Sequence, residues 1–322
     1  MRHFEKPRVV VSRCLEFAPC RYNGQVVPDA FVRRLMGQVM FCPVCPEMEI
    51  GLGVARDPIR VVAAGGERRL VQPSTGRDVS DAMRQFAGAF LGALGEVDGF
   101  LLKARSPSCG IKDVKVYGGA DAEVPSGKGA GFFGGAVLER FADRAVEDEG
   151  RLNSFAIREH FLTRLFTLAD FRRAKAAGGM GDLVAFHGRT KWLLMAHSEA
   201  ALRALGRVVA NPARWPAAEV FAAYGPRLAK ALARPPRPTA ILNVLMHALG
   251  HVSDGLSAPE KAMFLGVLAK YRCAAVPLSA PAAILRAWGI RFQAANLLAQ
   301  TFLEPYPESL LEITDSGKGR GA

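Results

Sequence analysis

The sequence predicts a layered α/β domain, its sheet mostly parallel, followed by an all-α domain. Three observations carry that prediction. The apolar runs Val9-Val10-Val11 and Phe100-Leu101-Leu102 are continuous rather than alternating, as in strands covered on both faces. An amphipathic helix lies between them, with Met83, Phe86, Phe90 and Leu94 three or four residues apart. Beyond Glu147 strand signals become few, while Leu152, Phe155, Leu162, Leu165, Phe166 and Ala169 keep helical spacing. The expected domains are residues 1–148 and 149–313, with 314–322 as a flexible tail.

Taken in order, Arg8–Val11 is the first strand, and it runs into polar Ser12 and Cys14. Tyr22-Asn23-Gly24 marks a turn, and Phe31–Val39 a short helix. Phe41–Gly53 (FCPVCPEMEIGLG) reads as a shaped loop, because Pro43 and Pro46 fix φ and two glycines relax it. Ile59–Val62 and Arg69–Val71 are candidate strands. The helix over Asp78–Leu94 takes Asp78 or Ser80 as its cap. Gly99–Lys103 is a second buried strand, leading directly into RSPSCG. Val114–Tyr117 is a further short strand, and the glycine-rich stretch 127–135 precedes a helix near Ala136–Ala142. In the second half Asp182 opens one helix, and Ser257 and Glu260 have capping-box spacing for another through Tyr271.

Composition narrows the function. Half of the 322 residues are hydrophobic, yet no run approaches the roughly 18 apolar residues of a membrane span. MRHFEKPRVVVS has neither a long apolar core nor a small-residue cleavage site, so a cytoplasmic protein with reduced thiols is expected. The net charge of +12 is uneven: +1 over residues 1–150 and +11 over 151–322. A basic second half suggests a polyanionic partner, nucleic acid before membrane; a soluble basic domain without a partner is the plain alternative.

Six cysteines in a chain this long do not build a disulfide framework, and their clustering in loops favours metal or catalysis. Cys14 and Cys109 each follow an apolar run in a polar, turn-forming context, while Cys42 and Cys45 lie in the shaped loop. Cys14 and Cys109 fall at the C-terminal ends of predicted strands, where sites of α/β sheets gather. Cys42 and Cys45 form a C-x-x-C pair, which suits a thioredoxin-like motif or half a zinc site. The first has no use for Cys14 and Cys109, and the second lacks another pair. A cubane iron–sulfur cluster accepts widely separated thiolates, and three protein ligands leave one iron open to substrate. On chemistry alone cluster, zinc, and inert or redox thiols all stay open. Glu47, two residues past Cys45, is placed to handle protons beside such a centre.

The motifs SRCLxxxxCRYNG, PVCPExxxGL and SPSCG, with GRDVSDAM between them, resemble the thiouracil desulfidase family over about residues 8–148. EDEGRLNSFAIREHF, AFHGRTKWLLMAHS and LEPYP are similar to the YbgA-type domain over about 147–306. Together they resemble the fused form, whose activity is removal of sulfur from 4-thiouridine in tRNA. The resemblance implies that Cys14, Cys45 and Cys109 hold a 4Fe–4S cluster. It implies Glu47 as the acid–base carboxylate and a serine of SPSC as its assistant, Ser106 ahead of Ser108. Turn hydrogen bonding around Pro107 is the structural role open to both serines. The implied reaction is non-redox and hydrolytic, leaving uridine and hydrosulfide. Cys20 and Cys42 fall outside the implied ligand set.

Thiolated tRNA, met through the basic second domain, is the expected partner. A desulfidase for free thiouracil-type bases is one alternative, although a neutral base has no need of a basic half. A metal-bearing RNA-binding sensor is another, although it has no need of Glu47. In the second half His187 and Lys191, and His247 and His251, share helix faces at i, i+4; the histidine pair lacks a third ligand nearby. Arg172, Arg173, Arg189, Lys191, Arg203 and Arg207 are candidate phosphate contacts or solvated charge.

Overall fold

The computed structural model describes residues 2–314, so the expected tail residues 315–322 lie outside the described residues. The strands are β1 (Arg8–Ser12), β2 (Met40–Val44), β3 (Arg60–Ala64), β4 (Glu67–Gln72), β5 (Arg77–Asp78), β6 (Gly99–Leu102), β7 (Val114–Tyr117), β8 (Pro125–Gly129) and β9 (Ala145–Asp148). The first sheet, in the order β2-β1-β6-β9, is parallel throughout. Its continuous apolar runs, Val9–Val11 and Phe100–Leu102, are wholly buried, as a sheet covered on both faces requires. The second sheet, β5-β4-β3-β7-β8, pairs β3 with β7 in parallel and its other strands antiparallel.

Helices α1 (Ala30–Leu35), α2 (Pro46–Glu49), α3 (Ser80–Ala93), α4 (Phe132–Arg140) and α5 (Phe155–Ala177) complete this region. The amphipathic face of α3 buries Met83, Ala87 and Leu91 in a core shared with Val61, Leu70, Phe100 and Phe133.

Several local expectations are corrected. Met40–Val44 is a strand rather than loop, with Val10 opposite Cys42 and Val11 opposite Pro43. Pro43 is tolerated because β2 is the edge of its sheet, where a missing N–H breaks no ladder. The helix expected to reach Val39 ends at Leu35, and Gly37 turns the chain at φ +84°. Helix α4 begins at Phe132, four residues early. β9 continues through Asp148, beyond the point where helical texture was expected. At α3 the capping position is Val79; Asp78 accepts the Ser80 N–H at 2.9 Å, while the Ser80 hydroxyl accepts from Leu70 N at 2.7 Å.

The described chain divides into two compact units, Lys6–Leu165 with Thr314, and Phe166–Ile313 with residues 2–5; the division falls within α5. The second unit is helical: α6 (Met180–His197), α7 (Glu199–Ala210), α8 (Ala217–Ala231), α9 (Pro238–Gly250), α10 (Ala258–Arg272), α11 (Ser279–Arg291) and α12 (Ala295–Leu298). Its core includes Phe171, Phe186, Phe221 and Tyr224, with Phe171 stacked on Tyr224 at 5.5 Å. The capping box at α10 forms as its spacing predicts, Ser257 N–H donating to Glu260 at 2.7 Å. Buried Asp170 accepts from Arg189 at 2.8 and 3.0 Å and from Arg173 at 2.9 Å, with Arg2 at 3.6 Å. No helix among the described residues is long and apolar enough to cross a membrane.

Candidate active site

A parallel sheet sends every strand's C-terminal end to the same edge, so the loops after β2, β1 and β6 are neighbours there. Cys45 directly follows β2, Cys14 stands two residues beyond β1, and Cys109 closes the loop after β6. All three line one cavity of about 350 Å³, together with Cys20, Glu47, Arg56, Lys103, Arg105 and Ser106.

Local sequence fixes each thiol. Cys45 is the N-cap of α2, whose first residue, Pro46, has no N–H to lose. The Cys109 loop is a tight turn in which Ser106 Oγ accepts the N–H groups of Ser108 and Cys109, at 3.2 and 3.1 Å. The start of α4 then grips that loop. Gly131 N donates to Gly110 O (2.7 Å), Phe132 N to Pro107 O (3.0 Å) and Gly134 N to Ser108 O (2.9 Å). These are N–H groups that a helix start leaves without intrahelical partners, and here loop carbonyls satisfy them. A Cβ at Gly131 or Gly134 would collide with the carbonyls of Ser108 and Gly110, which accounts for the glycines.

Glu47 is held on both oxygens. Arg56 donates to Oε2 from Nη2 at 2.6 Å and from Nε at 2.9 Å, while Ser108 Oγ donates to Oε1 at 2.8 Å. Arg56 also donates to the Cys20 carbonyl at 3.2 Å, tying the Cys14–Gly24 loop to the carboxylate. The thiols differ electrostatically. Burial raises the Cys109 thiol against a hydrogen bond to Ser12 that lowers it, and burial next to Cys45 pushes Cys14 up to about 12. Cys45 is lowered to about 7, chiefly because Cys20 hydrogen-bonds to its sulfur, with the Met48 N–H adding to the effect; Cys20 is raised in turn.

The structure therefore brings together Cys14, Cys45, Cys109, Glu47 and Ser106, all in one cavity wall. The contact with Glu47 goes to Ser108, whereas Ser106, the serine expected ahead of it, spends its acceptor capacity on the turn. Cys20 joins the cavity wall, and Cys42 is exposed on β2. Arg56 was not singled out in the sequence, because a lone arginine in a loop signals nothing until its reach is known. Among the described residues no three His, Cys, Asp or Glu side chains close up as a site for a single metal ion.

In the helical unit His187 Nδ1 lies 3.0 Å from the Tyr224 hydroxyl. His247 and His251 approach at 3.4 Å between their Nε2 atoms, and both pack on Trp192. Arg173 and Arg189 pair with Asp170, Arg172 with Glu5 and Arg203 with Glu199; Lys191 and Arg207 are exposed.

Fold and site together define an α/β protein with a four-thiol, carboxylate-bearing cavity at the C-terminal edge of a parallel sheet. Residues 9–149 match the family model described as 2-thiouracil desulfurase, and residues 191–307 match "Protein of unknown function (DUF1722)". The chain belongs to the 2-thiouracil desulfurase family through its first half and carries a DUF1722 domain in its second. It is 30% identical over 109 residues to the uncharacterized protein YbbK of Bacillus subtilis (strain 168), covering 32% of this chain and 72% of that one. It is 29% identical over 158 residues to the uncharacterized protein YbgA of Escherichia coli (strain K12), covering 48% of this chain and 93% of that one. Among solved structures it is similar to a [4Fe-4S]-dependent thiouracil desulfidase, TudS, at 29% identity over 46% of this chain and 93% of that one; the TM-score is 0.35, too loose to transfer geometry.

Proposed function

We propose that this chain is a tRNA 4-thiouridine desulfidase whose 4Fe–4S cluster is held by Cys14, Cys45 and Cys109. The observation that carries the reading is the convergence of these three thiols, with Cys20 beside them, and a doubly held carboxylate on one cavity. The donor set suits the group: soft thiolates spread around a cavity match a polynuclear iron–sulfur centre, and Arg21, Arg56, Lys103 and Arg105 balance its negative charge. Bound there, the cluster supplies a Lewis-acidic iron with an open coordination position for sulfur.

The chain's own residues supply the proton chemistry. Glu47, oriented by Arg56 and Ser108, takes a proton from the water that adds to the thiocarbonyl carbon. Ser106 Oγ accepts two N–H groups and keeps its own O–H to donate into the cavity. A C–O bond forms and the C–S bond breaks; sulfur leaves with the bonding pair and takes the second proton of the added water, departing as hydrosulfide, and nothing is oxidised or reduced.

The +11 charge of residues 151–322 supports tRNA as the partner, and it supports the division into a desulfidase domain to residue 148 and a tRNA-binding domain over 149–313. Reduced thiols at the site fit a cytoplasmic location. The family's description favours a second reading, a free thiolated base as substrate. The test is to reconstitute the protein anaerobically and measure sulfide released from thiolated tRNA and from free 4-thiouracil. Faster release from tRNA is expected; release from the free base alone rejects the tRNA reading. A colourless protein that binds zinc rejects the cluster.

A further inference from the structure

Three cavities of the first unit meet at Arg105. The thiol cavity shares Pro58, Ile59, Arg105 and Pro107 with a second one of about 640 Å³, and shares Lys103, Ala104 and Arg105 with a third of about 470 Å³. Arg105 alone lines all three. It is exposed and holds φ at +59°, a left-handed conformation that costs a non-glycine residue energy and that gathers at ligand clamps.

The second cavity has a chemistry of its own. Pro58 and Pro107 give it apolar wall, while Arg60, Lys115 and Lys128 join Arg105 against a single carboxylate, Asp113. The Arg60 guanidinium lies over the Tyr117 ring, 4.8 Å from its centroid, so a cation and an aromatic ring stand together in the wall. Desulfuration of a neutral base uses none of Arg60, Lys115, Tyr117 and Lys128, which stand outside the thiol cavity's wall. An aromatic face beside a cationic wall is what a stacked base and its phosphate require. The volume lies within the roughly 300–1,000 Å³ of small-ligand sites.

We propose that this second cavity binds the nucleotide adjoining the reacting one, with Arg105 on the phosphate that joins them. The inference rests on the nucleic-acid reading above. It adds that the desulfurase unit itself reads a polynucleotide strand, in addition to any hold exerted by the basic helical unit. The thiolated base occupies the thiol cavity, its phosphate crosses Arg105, and the neighbouring base stacks at Tyr117 and Arg60 beside the cross-strand pair Lys115 and Lys128.

The test uses the full-length, cluster-loaded protein and three substrates: free 4-thiouracil, 4-thiouridine 5′-monophosphate, and a short unstructured RNA with one internal 4-thiouridine. In the double variant Lys115→Gln/Lys128→Gln, both positions exposed and outside the thiol cavity's wall, kcat/KM for the RNA relative to the monophosphate should fall about tenfold through KM. The salt dependence of that KM should become shallower by about 1.4 in log–log slope, about 0.7 for each lost contact with a single strand. Arg105→Gln should lower the RNA and the monophosphate alike, about tenfold relative to the free base. Unchanged ratios and slopes in the lysine variant, with wild type active on RNA, overturn this inference and leave the proposed function standing. Wild type active on the free base alone overturns both.

Discussion

Glu47 and Asp170 are both carboxylates gripped by arginine, yet they sit in opposite circumstances. Asp170 is enclosed by Arg189, Arg173 and Arg2 in the helical unit. Burial pushes its carboxyl up, but the bonds from Arg189 and Arg173 outweigh that and hold it below the usual carboxylate range. Glu47 has one arginine and one serine, and it still borders a cavity shared with four thiols. A carboxylate ringed by cations is a structural tie. One fixed on two sides and bordering a cavity on a third is held as the proposed proton transfer requires. The helical unit shows the same contrast at larger scale: four of the arginines expected to meet phosphate are engaged in ion pairs, and the charge excess does not by itself say which side chains meet a partner.

The thiol cavity should break most completely. Replacing Cys14, Cys45 or Cys109 with Ala is expected to abolish both the brown iron–sulfur absorbance and sulfide release, whereas Cys273→Ala should do neither. A full chromophore in Cys109→Ala together with its loss in Cys20→Ala would reassign the ligands.

The two carboxylates should then part in what they disturb. Glu47→Gln keeps size and polarity but takes no proton, so cluster loading should stay normal while turnover falls about 10²-fold or more. Equal turnover in the two proteins removes Glu47 from the mechanism. Asp170→Asn should instead cost stability, about 2–3 kcal/mol in denaturant unfolding, because it removes the buried carboxylate that the half-buried Arg189 and Arg2 pair with. The sign with pH follows from the lowered carboxyl. Asp170's contribution is fully present above the unfolded value of about 3.9 and is lost as pH falls through the folded one. Wild type and Asp170→Asn should therefore converge in stability only in acid; a constant gap down to that range would remove the charged cluster as the cause.

The smallest effect separates the serines. Ser108→Ala should lower turnover about tenfold with the cluster intact, because Glu47 loses one of its two fixed contacts. Ser106→Ala should also loosen the Cys109 turn and speed bleaching of the cluster in air. Equal bleaching in the two variants would deny Ser106 that structural share.

What the sequence made legible follows from how locally each feature is determined. β1 and β6 were readable because a strand covered on both faces needs an unbroken apolar run, and the cysteines because they stand just past such runs. β2 was hidden by Pro43, which only an edge position permits, and β9 by its brevity and its two carboxylates. Arg56 and Ser108 were hidden for another reason. Ser108 reaches Glu47 across 61 positions of chain, and no spacing rule selects it over Ser106 two residues away. The glycines at 131 and 134 were visible as a rich stretch, but their purpose depends on a loop about twenty residues earlier whose carbonyls press against them.

That backbone clamp has a consequence for how the protein matures. Three main-chain bonds from the start of α4 hold the Cys109 loop, so the thiol's place is set by the fold before any cofactor arrives. Small zinc domains are the opposite case, since metal binding drives their folding. On the proposed ligand set, loading should be the filling of a socket already held by the backbone, and protein bleached in air should take up a cluster again without unfolding. Slow hydrogen exchange at the amides of Gly131, Phe132 and Gly134 in cluster-free protein would be its signature.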